Sequence, residues 1–141
     1  MSHDSRITEK NMKLKIITHE RIVFDNEVDE LVVHTVSGLV GILKDHIPLT
    51  TSLEIGVTKA KIGEKYKYFA TMGGVFQFKD NCATILTDVC EDSCDIDVTR
   101  ANAAKERAEA RLADSSAQYD AQRAQAALAR ALARLQAALN K

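Results

Sequence analysis

The sequence has few cysteines, no long apolar run and, over its last third, neither of the residues that break helices. Cys82, Cys90 and Cys94 are an odd number, so they cannot form a complete disulfide framework. We therefore expect free thiols in a reducing compartment. No apolar run approaches the roughly 20 residues of a membrane-spanning helix. Residues 1–12 are polar and lack the apolar segment of a signal peptide, so we expect a cytosolic protein without membrane insertion.

The chain also lacks a strong net charge. Its formal net charge is -1 over 141 residues, which excludes a global field that attracts nucleic acid or anionic lipid. The charge is uneven, however, because residues 97–141 hold 8 Lys and Arg against 5 Asp and Glu. The positive excess therefore lies in the last third of the chain, where an anion would be attracted.

Short apolar segments separated by turn residues fill the chain from residue 13 to residue 88. Apolar and polar residues alternate most clearly at 57–62 and 75–79, as expected for strands with one buried face. The segments leave no room for crossover helices, which favours an antiparallel β-sandwich. Gly73-Gly74 lacks the Lys-Ser/Thr of a phosphate loop, so we predict a tight turn between two strands there.

From Asp97 onward the chain contains no Gly and no Pro and is dominated by Ala, which favours helix. Small polar residues at 114–120 predict a hairpin turn between helices near 98–113 and 120–139. Asp97 stands where an N-cap residue would start the first helix. The predicted fold is α+β, mainly β plus α: a flexible arm at 1–11, an antiparallel β-sandwich at 12–95 and an antiparallel two-helix hairpin at 96–141.

Helical periodicity places arginines in one row on each helix. The first row lies beside a seam of Ala101, Ala104, Ala108 and Leu112, and the second lies opposite an apolar stripe of leucines. The rows are Arg100, Arg107 and Arg111, then Arg123, Arg130 and Arg134, and the stripe is Leu128, Leu132, Leu135 and Leu139. Two interpretations remain open: the rows are solvated basic faces, or an anion such as phosphate bridges them, since a guanidinium group binds phosphate bidentately.

No constellation of catalytic residues is evident. The serines lie in no nucleophile-elbow context, and no pair of carboxylates stands out for acid–base chemistry. His34 and His46 lack the clustered carboxylates of a metal site, and the three cysteines lack an obvious fourth ligand. We therefore predict a binding or docking module that is not an enzyme and holds no metal.

Three motifs, in their order and spacing, resemble the epsilon subunit of F-type ATP synthases over residues 12–141. Residues 38–49 resemble its Gly-x-x-Gly-Ile-x-x-x-His-x-Pro-Leu segment, Gly73-Gly74-Val75 its Gly-Gly strand start, and 96–101 its Ile/Leu-Asp-x-x-Arg-Ala motif. The chain departs from the family at Lys44-Asp45 and Ile55-Gly56, where Pro-Gly is common, and at Leu39, where an acid is common.

The resemblance implies a β-sandwich of about ten strands in a non-catalytic central-stalk subunit of a proton-transporting ATP synthase. The implied partners are the gamma subunit and the c-ring, and the implied place is peripheral, at the cytoplasmic face of a bacterial cell membrane or, alternatively, at a thylakoid membrane. Gly38, Gly41 and His46 would lie at the interface with the c-ring and gamma. The alternative function is a stand-alone protein-binding adaptor without nucleotide sensing.

The resemblance also implies regulation by ATP, as a ligand and not as a required cofactor. In bacterial members the hairpin either folds beside the sandwich or extends into the alpha/beta catalytic head and inhibits ATP hydrolysis. The ATP-binding residues that carry over to this sequence come from the sandwich end, the motif and both helices: Glu91, Ile96, Asp97, Arg100, Ala101, Arg107, Arg130 and Arg134. Arg111 and Arg123 are left as solvated.

Overall fold

The computed structural model describes residues 12–114 and 121–140, which form eight strands followed by two α-helices. The arm predicted at 1–11 and most of the turn predicted at 114–120 lie outside these residues. The strands are β1 (Met12–Ile17), β2 (Ile22–Val28), β3 (Glu30–Thr35), β4 (Gly38–Leu43), β5 (Leu49–Ile62), β6 (Lys65–Lys79), β7 (Cys82–Leu86) and β8 (Cys90–Asp92). The helices are α1 (Val98–Ala113) and α2 (Ala121–Leu139).

The strands follow the order β2-β1-β7-β6-β5-β3-β4, and β8 pairs with β6. The α+β prediction is confirmed, with eight strands in the described residues where about ten were expected. One pair departs from the predicted antiparallel arrangement, because β1 and β7 are parallel. Their Cα partners run from Lys13 with Cys82 to Ile17 with Leu86. The two strands lie far apart in the chain, so no hairpin constrains them to opposite directions.

The sandwich encloses a single main core. Strands from both ends of the strand path contribute to it, β1 with Leu14 and Ile16 and β4 with Ile42, so the sheet folds over on itself. The buried positions alternate along β1 and β3, which is the period expected when one face is covered. Phe69, Phe76 and Phe78 of β6 are among its largest fully buried side chains. Full burial of such a side chain contributes roughly 1.5–3 kcal/mol.

The tight turn predicted at Gly73-Gly74 is wrong, because β6 runs through both glycines without ending. Gly73 and Gly74 have φ angles of 79° and 117°, which residues with a side chain rarely adopt. A Cβ atom at Gly74 would lie 2.1 Å from the Leu86 carbonyl oxygen of β7. The glycines therefore bend a continuous strand and let β7 approach it closely, while the β5 partners continue on both sides.

Asp45 explains how the chain manages without the Pro-Gly pair expected before His46. Asp45 has a φ of 67°, a left-handed conformation that Asp tolerates better than most residues. The Asn81 side chain supports it from the β6–β7 turn, because Oδ1 accepts from the Asp45 amide at 2.7 Å and Nδ2 donates to Asp45 Oδ1 at 3.0 Å. The hydrogen bonds between Asp45 and Asn81 thus stabilise a backbone conformation that glycine would adopt without such support.

Alanines pack the two helices. Ala101 and Ala108 of α1 are buried, as the predicted seam required, and so are Ala124 and Ala131 of α2, also spaced by seven residues. The helices are antiparallel, since the start of α1 and the end of α2 line the same groove. Neither helix has the length and apolar character needed to cross a membrane, within the ranges that the structure describes.

The leucine stripe predicted on α2 is not its buried face. Leu132 and Leu139 are 45% and 86% exposed, whereas Ala133, Ala137 and Ala138 are buried against the sandwich. The helix is covered on two sides, by α1 and by the sheet, and small side chains allow both to approach closely. Of the four leucines, Leu128 and Leu135 are partly buried, and Leu132 and Leu139 are exposed.

The close approach at Gly74 leads to a stability prediction. We expect Gly74→Ala to lower the free energy of unfolding by at least about 2 kcal/mol, since it combines a strained φ with a clash against backbone. Gly41→Ala is the matched control, because a Cβ there meets nothing within 4 Å. Urea denaturation followed by circular dichroism measures both variants. Equal stability of the two would contradict the proposed role of Gly74.

Candidate functional site

The junction between the last strand and the first helix is held by two carboxylates. A short 3-10 helix at Ser93–Asp95 follows β8. Asp97 then caps α1, as predicted, with its side chain accepting from the Arg100 amide at 3.1 Å. Between them, Ile96 is buried in a small cluster with Ala70 and alanines of α2. The cap and the buried Ile96 together set the direction in which α1 leaves the sandwich.

Asp92 fixes this junction to the sheet. Its carboxylate accepts from Lys67 Nζ of β6 at 2.7 Å and from the Cys94 amide at 3.0 Å. Burial acts to raise the pKa of Asp92, but the hydrogen bonds from Lys67 and Cys94 outweigh it, so the pKa is held below its ordinary value. Asp92 is therefore an anchor of the turn that carries Asp95 and Asp97.

A cleft of about 340 Å³ opens beside this junction, between β8, the 3-10 helix and both α-helices. It is lined by three carboxylates, three guanidinium groups and two alanines: Glu91, Asp95, Asp97, Arg100, Arg107, Arg134, Ala101 and Ala104. Guanidinium groups bind phosphate, whereas carboxylates accept hydrogen bonds from hydroxyl and amino groups. The cleft therefore suits a ligand that carries an anionic group at one part and hydrogen-bond donors at another.

One ion pair crosses the cleft wall. Arg134 Nε of α2 donates to Glu91 Oε1 of β8, and both side chains are partly buried, with exposed fractions of 28% and 34%. The pair joins the second helix to the sandwich and places the guanidinium group at the cleft. Because Glu91 accepts from Nε, the Nη groups of Arg134 remain able to donate to an anionic ligand.

The structure brings together six of the eight residues predicted for ATP. Glu91, Asp97, Arg100, Ala101, Arg107 and Arg134 all line the cleft. The other two do not: Ile96 is 5% exposed in the apolar cluster, and Arg130, partly buried one turn before Arg134, is not among the lining residues. Arg111 and Arg123 are exposed, as expected for solvated side chains.

Two lining residues, Asp95 and Ala104, were not among the residues predicted for ATP. Periodicity placed Ala104 in the seam beside the first arginine row, three residues after Ala101 on the same helix face. Asp95 lies in the 3-10 helix, which has no periodic pattern in the sequence, and only the fold turns it toward the cleft.

The residues predicted for the c-ring and gamma lie elsewhere, around β4. Gly38 begins the strand with a φ of 118°, Gly41 lies within it, and His46 follows it. The His46 ring packs edge-on against Phe78 at 5.9 Å between centroids, and its Nδ1 donates to the Ile47 carbonyl at 2.7 Å. Because β4 ends the strand path, one of its edges is open. Exposed apolar side chains surround it: Leu39, Leu43 and Ile47.

The two histidines weighed as metal ligands have structural contacts instead. The His34 ring occupies the space above Gly56, where an added Cβ would lie 2.3 Å from Nδ1. Within residues 12–114 and 121–140, no group of three or more His, Cys, Asp and Glu side chains could hold a metal ion.

Comparison with known proteins matches two family models to the chain. The model described as "ATP synthase, Delta/Epsilon chain, beta-sandwich domain" covers residues 11–93, and that described as "ATP synthase, Delta/Epsilon chain, long alpha-helix domain" covers residues 95–138. Together they account for most of the sequence.

Individual proteins give the same result. An ATP synthase epsilon chain of Symbiobacterium thermophilum is 48% identical over 108 residues, which cover 76% of this chain and 78% of the relative. One of Desulforamulus reducens is 40% identical over 109 residues, covering 77% and 83%. A chain of the Euglena gracilis mitochondrial ATP synthase shares the fold, with a TM-score of 0.80, 22% identity and coverage of 92% of this chain and 82% of that one.

The three cysteines beside and beyond the site differ in environment. Cys90 of β8 is buried, with Sγ 3.7 Å from Thr71 Oγ1, and burial raises its pKa to about 11. Cys82 and Cys94 are exposed.

We expect Cys82 and Cys94 of the native protein to react with a thiol reagent at pH 8, and Cys90 to react only in denaturant, since the buried thiol is neither ionised nor accessible. Mass spectrometry of the alkylated protein measures this. Cys90→Ala should remove only the additional alkylation seen in denaturant, and rapid alkylation of Cys90 in the native protein would contradict the burial.

Proposed function

The chain belongs to the epsilon-subunit family of F-type ATP synthases, and we propose that its helical hairpin binds ATP and thereby regulates ATP hydrolysis. Epsilon chains are non-catalytic subunits, and the catalytic sites lie in other subunits of the complex. The observation that carries the proposal is the polarised cleft between the sandwich and the two helices.

Each kind of lining residue has a role in this proposal. Arg100, Arg107 and Arg134 bind the phosphates, because they come from both helices and stay charged at any physiological pH. Asp97 and Glu91 accept from ribose hydroxyls and from the adenine amino group. The N-terminus of α1 adds a positive dipole end to the phosphate side of the cleft.

The hairpin is docked weakly enough for a ligand to decide its position. Its apolar contact with the sandwich is a cluster of Ala70, Ile96, Ala133, Ala137 and Ala138, with Ile55, Val57, Tyr68 and Met72 packed against it. Each buried methyl group contributes roughly 0.8 kcal/mol, so the three alanines of α2 contribute about 2–3 kcal/mol. ATP that binds only the docked form adds RT ln(1 + [ATP]/Kd), which is about 2.7 kcal/mol at a hundredfold excess over Kd. The two magnitudes are comparable.

Loss of ATP would therefore favour the released hairpin by a shift of population. The arginine rows of the released helices are then free to bind acidic surfaces of the alpha/beta catalytic head and to block ATP hydrolysis. The exposed leucines of α2, Leu132 and Leu139, add apolar contacts there. ATP thus acts as a regulatory ligand.

We expect the isolated protein to bind ATP, and Arg100→Ala and Arg134→Ala each to weaken binding more than tenfold, since a hydrogen bond to a charged group contributes about 1.5–3 kcal/mol. Isothermal titration calorimetry measures the affinities. Arg123→Ala, an exposed position on the same helix as Arg134, is the matched control and should bind like wild type. Absence of ATP heat at millimolar concentration would disprove nucleotide sensing and leave the stalk role untouched.

A separate surface supports the role in the central stalk. On the outer face of the sandwich, cross-strand pairing joins Ile22 to Ile17, Ile17 to Leu86, and Leu86 to Val75. Three of the four are exposed by 44% to 53%. We call these four side chains the outer apolar row. An exposed row of this kind on four adjacent strands is typical of a surface that another protein covers.

We assign the outer apolar row to the gamma subunit and the open edge of β4, with Gly38, Gly41 and His46, to the c-ring. A solved relative from Tetrahymena thermophila is described as part of a "central stalk/cring" assembly. With these partners, the proposed location is the periphery of a membrane-bound, proton-transporting complex, on the cytoplasmic face of a bacterial cell membrane. A thylakoid membrane is the alternative location.

We expect Val75→Glu to reduce co-purification with the gamma subunit at least tenfold, because the new charge must be buried when the outer apolar row is covered. Gln77→Glu is the matched control: it adds the same charge on the same face of β6, two residues away, and should assemble like wild type. Circular dichroism checks that both fold. Unchanged assembly of Val75→Glu would exclude this surface, and recovery without any ATP synthase subunit would favour an independent adaptor.

A further inference from the structure

A second hollow of about 250 Å³ adjoins the cleft on the sandwich side. The two share Glu91 and Arg134, so the ion pair between these side chains is the wall that separates them. The hollow also contains Arg21, which belongs to no matched motif and to neither arginine row. The lining residues are Thr18, Glu20, Arg21, Val23, Asp88, Val89, Cys90, Glu91 and Arg134.

Hydrogen bonds fix the backbone of Arg21, whereas its side chain forms no ion pair in the described residues. The turn before β2 is closed by the Thr18 amide, which donates to the Arg21 carbonyl at 2.9 Å, and by Thr18 Oγ1, which accepts from the Glu20 and Arg21 amides at 3.3 Å. Among the ion pairs of the described residues, none includes Arg21. Arg21 is exposed and lines the hollow, and no carboxylate of the described residues pairs with its guanidinium group within 4.0 Å.

Glu91 has access to two arginines, one on each side. Arg134 binds it now, and Arg21 lines the same hollow. Arg21, Cys90 and Glu91 all line this hollow, so the charges of Arg21 and Glu91 lie in one neighbourhood. Arg134 binds Glu91 through Nε, so a phosphate can bind the Nη groups and draw the guanidinium group toward the cleft, which weakens its bond to Glu91. Arg21 is the second guanidinium group that lines this hollow, and it is therefore the candidate to bind Glu91 when the bond to Arg134 weakens.

We propose that Arg21 is a positioning residue of the nucleotide site, which binds one oxygen of Glu91 when the phosphates of the ligand bind Arg134. The other oxygen of Glu91 then stays directed into the cleft, where it accepts from the donor groups of the ligand. This inference rests on the proposed binding of ATP. Binding of a ligand in the cleft would then change the side-chain contacts of Arg21, at the turn between β1 and β2 of the sandwich.

The test is a double-mutant cycle on the full chain, with ATP affinity measured by titration calorimetry. We expect Arg21→Ala to weaken ATP binding about three- to tenfold in the wild-type background and less than twofold in the Glu91→Gln background, since the effect of Arg21 passes through Glu91. Arg21→Lys should retain part of the affinity. Arg111→Ala, an exposed arginine outside both hollows, should have no effect in either background.

Two further variants test the choice of Glu91 over the other carboxylates of the hollow. Glu20→Gln and Asp88→Asn remove competitors for Arg21, so they should leave ATP binding unchanged or strengthen it slightly. Thermal melting without ATP checks that each variant folds, and Arg21→Gln replaces Arg21→Ala if the latter does not.

The outcomes separate this inference from the proposed function. If wild type binds ATP and Arg21→Ala binds equally well, Arg21 has no part in the site. If Arg21→Ala weakens binding to the same degree in both backgrounds, it acts only through its long-range charge and the exchange of Glu91 is wrong. If wild type binds no ATP, the proposed nucleotide site fails and this inference fails with it.

Discussion

The structure depends on the short segment that joins the sandwich to the helices. Asp92 ties this segment to Lys67 of the sheet, and Asp97 starts the first helix by accepting from its third amide. Two carboxylates therefore decide where the helical part lies relative to the strands. The cleft, its arginines and the ion pair between Glu91 and Arg134 all depend on that placement. A change in the junction would separate the groups that the site needs together.

Alanine side chains let the docked helices approach the sandwich closely, and each of them contributes little to the free energy of docking. Ala133 and Ala137 bring α2 against the sheet, and small side chains on both helices let them pack closely. Each alanine buries only one methyl group, so it contributes less to docking than a larger apolar side chain would. The charged residues at its edge can then contribute a comparable share of the free energy. This is the physical basis of our proposal that a small anionic ligand controls the position of the two helices.

Features that depend on neighbours in the chain were predictable from sequence. The helix bounds follow from a run without Gly or Pro, the cap at Asp97 from its place before that run, and the buried seam of Ala101 and Ala108 from helical spacing. Three cleft arginines, Arg100, Arg107 and Arg134, lie in rows with that spacing. Six of the predicted residues line one cleft, which is consistent with the family motif. Members of a family share a fold, so a motif also indicates which positions lie together in space.

Other features were decided only by contacts between distant parts of the chain. Gly73 and Gly74 signal a turn locally, but pairing with β5 and the close approach of β7 convert them into a bend within one strand. The leucines of α2 form a regular stripe in the sequence. In the structure, however, α2 packs against both α1 and the sheet, and small residues form both of these contacts. Arg21 has no local signal at all, since its importance arises from the packing of a turn near residue 20 beside β8. The sequence by itself thus determined the elements and their charges, and tertiary packing determined which faces meet.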